Sequence, residues 1–143
     1  MYHYTECGLK NVWLTNGFNI REINGEKAVS ISEVDQLHDV IGRSLAAKNN
    51  LNSTEVRFLR KELGLSQRRL GDLLGTTEQT VSLWERRGRI PKVYDRLIRL
   101  LYLEKIDGNV KVQAIIDRLI ELDVRQTERL ILSDTRHGWR IAA

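Results

Sequence analysis

Along the chain the spacing of apolar positions changes character, first two-fold and then helical. Val12 to Leu14, Phe18 to Ile23 and Lys27 to Ile31 are short runs rich in β-branched and aromatic residues, divided by Asn16-Gly17 and Asn24-Gly25. Asn-Gly supplies the positive φ angles that two-residue hairpin turns require, so these runs predict a three-stranded antiparallel meander. At Ser32 the period becomes helical. Ser32-Glu33-Val34-Asp35 is an acceptable helix start, and Val34, Leu37, Val40, Ile41 and Leu45 recur on one face to about Lys48. Asn49 and Asn50 then end the helix in a polar joint, the best candidate for a linker.

From Asn52 to about Ile106 the pattern is helical with sharp interruptions. Asn52 caps a helix with Glu55 at its third position and a stripe of Val56, Leu59 and Leu63, and Gly64 closes it. Ser66 caps a second helix carrying Leu70, Leu73 and Leu74, stopped at Gly75. Thr76 and Thr77 offer caps for a third, with Val81 and Trp84 inward, which ends at Arg86-Arg87-Gly88-Arg89. Pro91 suits the first turn of a fourth, whose apolar arc from Val93 to Leu103 is wide enough to demand packing on two sides. After Asp107-Gly108 a further helix is expected from about Val110 to Leu122, with Ile115, Ile116, Leu119 and Ile120 on one face. A β-hairpin of Leu130 to Ser133 and Gly138 to Ala142, around Arg136-His137-Gly138, completes the chain.

Composition narrows the function classes. A length of 143 residues allows one compact domain or two small ones. A single cysteine, Cys7, forbids an intrachain disulfide and suits a reducing cytoplasm. No apolar run reaches the roughly 18 residues of a membrane helix and no signal-peptide profile is present, so a cytoplasmic location without membrane contact is expected. The net charge of +4 is concentrated: residues 54–105 hold 12 Lys/Arg against 7 Asp/Glu, while residues 1–53 hold 5 against 6 and residues 106–143 hold 6 against 6. A localised basic field points to a polyanion such as nucleic acid, and a merely solvated face is the alternative that charge alone leaves open.

The stretch LSQRRLGDLLGTTEQTVSLWE, Leu65 to Glu85, decides between them. Two helices of about eight residues are marginal alone, so they must pack on each other and on their neighbours. Gly71 lies where the third helix would cross the second, and with Val81 and Trp84 inward the outward face is Glu78, Gln79, Ser82 and Leu83. Residues 54–105 resemble the lambda-repressor-like (XRE/Cro) helix-turn-helix family, a bundle of about five helices, with glycine at position 71 where the family usually has alanine. The resemblance implies that Thr77 to Glu85 enters the major groove, that Glu78, Gln79 and Ser82 read bases, and that Thr77 and Thr80 lie beside the backbone. It also implies that Gln67, at the start of the preceding helix, clamps phosphate close to the bases, and that Arg86, Arg87 and Arg89 grip phosphate beyond the recognition helix. Ser66, through the free N–H groups of that helix start, and Arg68 are expected to bind DNA beside Gln67. The physics agrees: Gln can contact adenine N6 and N7 together, Glu can accept from cytosine N4, and a helix N-terminus attracts phosphate. Glu78 keeps a second reading, as an acid complementing the dipole at the helix start without touching a base.

Simpler roles bound the rest. Trp84 shares a face with Val81 and belongs to the core, and Leu83 suits either a thymine methyl or a bundle contact. Cys7 with His3 falls short of the three or four ligands of a zinc site, and the sparse histidines His3, His38 and His137 add none, so neither metal nor cofactor is expected. No orienting acid or oxyanion-hole motif accompanies them, and no enzyme is expected. Strands, helix and then this bundle resemble, more loosely, MqsA-like antitoxins and their orphan relatives, with the two Cys-x-x-Cys pairs missing. An N-terminal module would then stand on Trp13, Leu14, Phe18, Ile20, Val29 and Ile31. The expected molecule is α+β and mainly helical. It has a β-meander with helix over 1–50, a five-helix lambda-repressor-like DNA-binding bundle over 51–107, and a C-terminal helix with hairpin over 108–143 as a dimerisation element. Its expected role is that of a sequence-specific, nucleoid-associated transcriptional regulator, a homodimeric repressor that reads an inverted repeat in double-stranded DNA through the helix 77–85. The alternative is the antitoxin of a toxin–antitoxin pair, with the N-terminal module binding the toxin.

Overall fold

The computed structural model describes residues 1–108, Ala114, Asp117 and residues 130–142. In chain order its elements are β1 (Tyr2–His3), β2 (Trp13–Leu14), β3 (Phe18–Ile23), β4 (Glu26–Ile31), α1 (Val34–Ala46), α2 (Ser53–Glu62), α3 (Gln67–Leu74), α4 (Glu78–Arg86), α5 (Lys92–Ile106), β5 (Leu132–Thr135) and β6 (Gly138–Ile141). The fold is α+β, with three separate two-stranded antiparallel ribbons beside a helical bundle.

The expected meander does not form. Only Asn24-Gly25 makes a two-residue turn: both residues have positive φ (52° and 81°), and Ile23 pairs with Glu26 across it. β2 instead pairs with β1, a strand the hydrophobic pattern did not announce. His3 explains the preference, because its ring stacks on Trp13 at 4.0 Å and its Nε2–H donates to the Lys10 carbonyl at 2.7 Å. Gly17 is committed to the other ribbon, since its carbonyl accepts from Ser32 N at 2.8 Å and extends the β3–β4 ladder. That bond also holds Ser32 out of the helix. α1 begins at Val34 after Glu33 (φ 48°), has no side-chain cap, and ends at Ala46, two residues before the expected Lys48.

The expected N-terminal core is corrected as well. Trp13 and Ile20 are exposed, whereas Tyr4 and Leu9, from the loop between β1 and β2, are buried in the main core. The Tyr4 hydroxyl hydrogen-bonds His38 Nε2 (2.8 Å), and His38 Nδ1 meets a Glu62 carboxylate oxygen (2.9 Å), a chain that ties this loop through α1 to α2. Phe18, Val29 and Ile31 are half-buried at the base of the β3–β4 ribbon, and Phe18 tilts against Tyr2 with ring centroids 5.3 Å apart.

Local chemistry starts and stops the helices as the sequence expects. Asn52 and Glu55 form a reciprocal capping box on α2, Ser66 accepts from Arg69 N on α3, and Thr77 accepts from Thr80 N on α4. Gly75 terminates α3 at φ 72°. Pro91 stands one position ahead of α5, as its cap. Four helices fall within residues 53–106, and α1 packs beside them as a fifth. Gly42 makes this contact possible, because a Cβ there would fall inside the Tyr102 ring of α5. α5 is accordingly covered on two sides, by α1 and α2, although Val93 and Leu100 of its expected arc are exposed, as are Val34 and Val40 of α1. Val56, Leu59, Leu70, Val81 and Ile98 form the most deeply buried centre.

The joint at Asn49–Asn50 is anchored. Lys92 Nζ–H donates to the Asn49 carbonyl and to Asn50 Oδ1, and Asp95, itself buried, accepts from Leu51 N at 2.8 Å and from Arg99 Nε at 2.7 Å. Beyond α5, Ala114 and Asp117 are helical, and Asp117 pairs with Arg69. The rest of the expected helix Val110–Leu122, with Ile115, Ile116, Leu119 and Ile120, lies outside the described residues. The C-terminal hairpin forms two residues later than expected in its first strand, at Leu132–Thr135.

Candidate nucleic-acid interface

α3 and α4 meet at Gly71. A Cβ at this position would lie 3.0–3.2 Å from the backbone of Thr77 and Glu78, so the small residue lets the start of α4 approach the side of α3. Val81 and Trp84 anchor the inner face of α4, with the Trp84 ring 5.0 Å from Tyr94 of α5. An acid sits on the same inner side. Glu85, four residues after Val81, is buried and receives both prongs of the Arg60 guanidinium, at 2.6 Å and 2.9 Å. Arg60 also donates to the Leu65 carbonyl at 2.9 Å, and Gln67 Nε2 donates to Glu85 at 3.2 Å. One carboxylate thus joins α2, the start of α3 and the end of α4, in the forked geometry that fixes orientation best.

Sequence reasoning missed Arg60 and Glu85. The signal was present: Glu85 falls one turn after Val81 on an apolar face, and an acid there demands a cation partner.

With its inner face committed, α4 presents the opposite one. Glu78 and Gln79 are exposed, Ser82 is half-buried, and Leu83 points outward. Neither ribbon nor tail covers this face among the described residues. The Thr77 and Thr80 hydroxyls are 2.9 Å apart and close the first turn, with Thr77 exposed and Thr80 half-buried. Glu78 stands in that first turn, where the helix dipole favours an anion. At the start of α3, Ser66 is occupied as a cap, Gln67 has its amide turned to Glu85 with the carbonyl oxygen uncommitted, and Arg68 is exposed.

The basic surplus divides into two kinds. Arg60, Arg69 and Arg99 are matched to Glu85, Asp117 and Asp95. Arg68, Arg86, Arg87 and Arg89 are exposed and have no carboxylate within ion-pair distance among the described residues; Arg86 donates weakly to the Ser82 carbonyl at 3.4 Å. These four border the outward face of α4 in sequence: Arg68 in the first turn of α3, Arg86 as the last residue of α4, and Arg87 and Arg89 beyond it. Positive charge without internal partners therefore flanks a row of hydrogen-bonding side chains.

Chemistry elsewhere is limited. Burial raises the Cys7 thiol pKa above its ordinary value, so at neutral pH it is a protonated thiol rather than a nucleophile, and its Sγ–H donates to the Tyr4 carbonyl at 3.5 Å. Among the described residues no group of three or more His, Cys, Asp or Glu can hold a metal ion, and no helix is long and apolar enough to cross a membrane.

Comparison with known proteins bears on this geometry directly. Residues 56–95 match the family model described as Helix-turn-helix, a span that starts inside α2 and ends in the first turn of α5. No curated protein and no solved structure matches the chain significantly. The matched span contains Gly71, the Arg60–Glu85 pair and the whole of α3 and α4. Over residues 56–95 the chain is thus similar to a helix-turn-helix domain, in agreement with the arrangement of α3 and α4.

Proposed function

We propose that the protein is a homodimeric repressor that reads an inverted repeat by laying α4 in the major groove. The observation that carries this reading is the uncovered outward face of α4, flanked by four arginines that no described carboxylate neutralises. In it, Gln79, Ser82 and Glu78 contact base edges, a good bidentate contact being worth about 1–3 kcal/mol of discrimination. Ser66, Gln67, Arg68, Thr77, Thr80, Arg86, Arg87 and Arg89 hold the sugar-phosphate backbone, which supplies register and most of the salt dependence. One such helix covers about half a site, and two copies related by a two-fold axis place their helices ~34–36 Å apart, one turn of DNA.

Binding to DNA from upstream of the gene, footprinted at several salt concentrations, tests this division of labour. Gln79→Ala should change which operator positions tolerate substitution. Arg87→Ala should weaken all sequences alike and lower the salt slope by about 1. Equal losses on operator and random DNA from both variants would remove the assignment.

A second reading, the antitoxin one, is favoured by the β3–β4 ribbon, which projects Ile20 and Ile23 into solvent beside the helix-turn-helix domain. Under it the N-terminal module binds a protein toxin and DNA binding regulates the pair. Co-expression with the neighbouring open reading frame, followed by purification through a tag on this chain, should retain the partner, and Ile20→Asp should release it.

A further inference from the structure

Among the described residues, none covers one apolar face of the C-terminal hairpin. The register pairs Leu132 with Ile141 and Asp134 with Trp139 on one face, and Ser133 with Arg140 and Thr135 with Gly138 on the other. Leu130 continues the first face by the same alternation. On that face Leu130 is 71% exposed, Leu132 51%, Trp139 71% and Ile141 73%. The turn itself is well made, since the Thr135 hydroxyl donates to the Gly138 carbonyl at 2.7 Å and accepts from His137 N at 3.2 Å. A lone two-stranded hairpin is marginal in water, and one that shows four large apolar side chains on a single face needs a cover.

We infer that this face is the seam of a homodimer, packed against the same face of a second copy about a two-fold axis. Three observations select a second copy as the cover. The first is area: the four side chains offer on the order of 500 Å² per copy, so two copies remove about 1,000 Å², the lower bound for a specific interface. The second is charge. Arg140 lies on the opposite face and Arg136 in the turn, which leaves Asp134 as the one charged side chain on the apolar face and keeps like charges away from most of a self-paired seam. The β3–β4 ribbon differs here: Arg21, Glu22, Glu26 and Lys27 crowd its tip, the charge pattern that keeps an exposed ribbon single. The third is symmetry, which rests on the DNA reading proposed above. An inverted repeat calls for an isologous contact, one surface meeting its own copy, and a self-complementary apolar face is that kind of surface.

Sedimentation of the full chain at micromolar concentrations, combined with cross-linking from each face of the hairpin, tests the seam. The wild type should sediment as a dimer. Leu132→Asp combined with Ile141→Asp should halve the mass while the helical circular dichroism and its thermal transition stay unchanged. In a Cys7→Ser background, Leu132→Cys should close a disulfide-linked dimer on mild oxidation, whereas its neighbour Ser133→Cys, on the opposite face, should not. A monomeric wild type, a mass unmoved by the double substitution, or equal cross-linking from both faces would overturn the inference. The two readings separate cleanly: a chain that dimerises through this face but shifts no DNA keeps the seam and loses the DNA reading. A chain that footprints an operator with its mass unmoved by the substitutions loses the seam alone.

Discussion

The α3–α4 unit and the β3–β4 ribbon are alike in scale, two short elements and a tight turn, and neither is stable in isolation. They are held in opposite ways. α3 and α4 are fixed from outside: Gly71 admits the start of α4, Val81 and Trp84 are buried, and Arg60 reaches across from α2 to Glu85. The ribbon is fixed from within, by the Asn24-Gly25 turn and its own ladder, and only its base touches the body. The first arrangement fixes the angle of α4 against the bundle, as the DNA reading proposed above requires. A projecting ribbon needs only its shape.

This contrast predicts a steep gradient of mutational cost. The largest effect is expected from Glu85→Ala, which strands the Arg60 guanidinium in a buried site and should lower stability by about 3–5 kcal/mol in urea titrations. Replacing both partners with apolar residues of similar volume should restore most of it, and a full loss in the double variant would show that the pair is not self-contained. Next comes Tyr102, whose burial pushes its hydroxyl pKa from 10 up to about 12. The folded state favours the protonated phenol, so its contribution is intact below pH 10 and is lost as the pH rises to about 12. That alkaline loss should be about 2–3 kcal/mol, read by chemical denaturation across this range, and should shrink in Tyr102→Phe. Asn52→Ala, which removes half of the α2 capping box, should cost about 1 kcal/mol. The smallest effect belongs to the ribbon: Ile20→Thr, half-exposed, should change stability by less than about 0.5 kcal/mol. A cost there equal to that of Glu85→Ala would erase the distinction between the two regions.

Where local chemistry decides, the sequence was readable. The caps Asn52, Ser66 and Thr77, the stop at Gly75, the hairpin turn at Asn24-Gly25 and the inward pair Val81 and Trp84 all follow from spacing and residue type. Where partners come from far along the chain, it was not. Nothing near Trp13 tells that Tyr2–His3 will claim it as a strand partner, nor that Tyr4 and Leu9 will fill the core in place of Trp13 and Ile20. In the interface, the outward side chains of α4 were legible from helical period alone. The Arg60–Glu85 fork behind them, which joins residues 25 apart, shows in sequence only as an acid on the wrong face.

The carboxylate of Asp95 carries a mechanical consequence. By holding Leu51 N, just ahead of α2, and Arg99 on its own helix, it rivets the chain segment between α1 and α2 to α5, the helix on which α1 is already seated through Gly42. The front part of the molecule is therefore anchored to the helical bundle at two points instead of dangling from it. The same helix also meets the inner side of α4 through the Trp84–Tyr94 ring contact, so one element seats both α1 and α4.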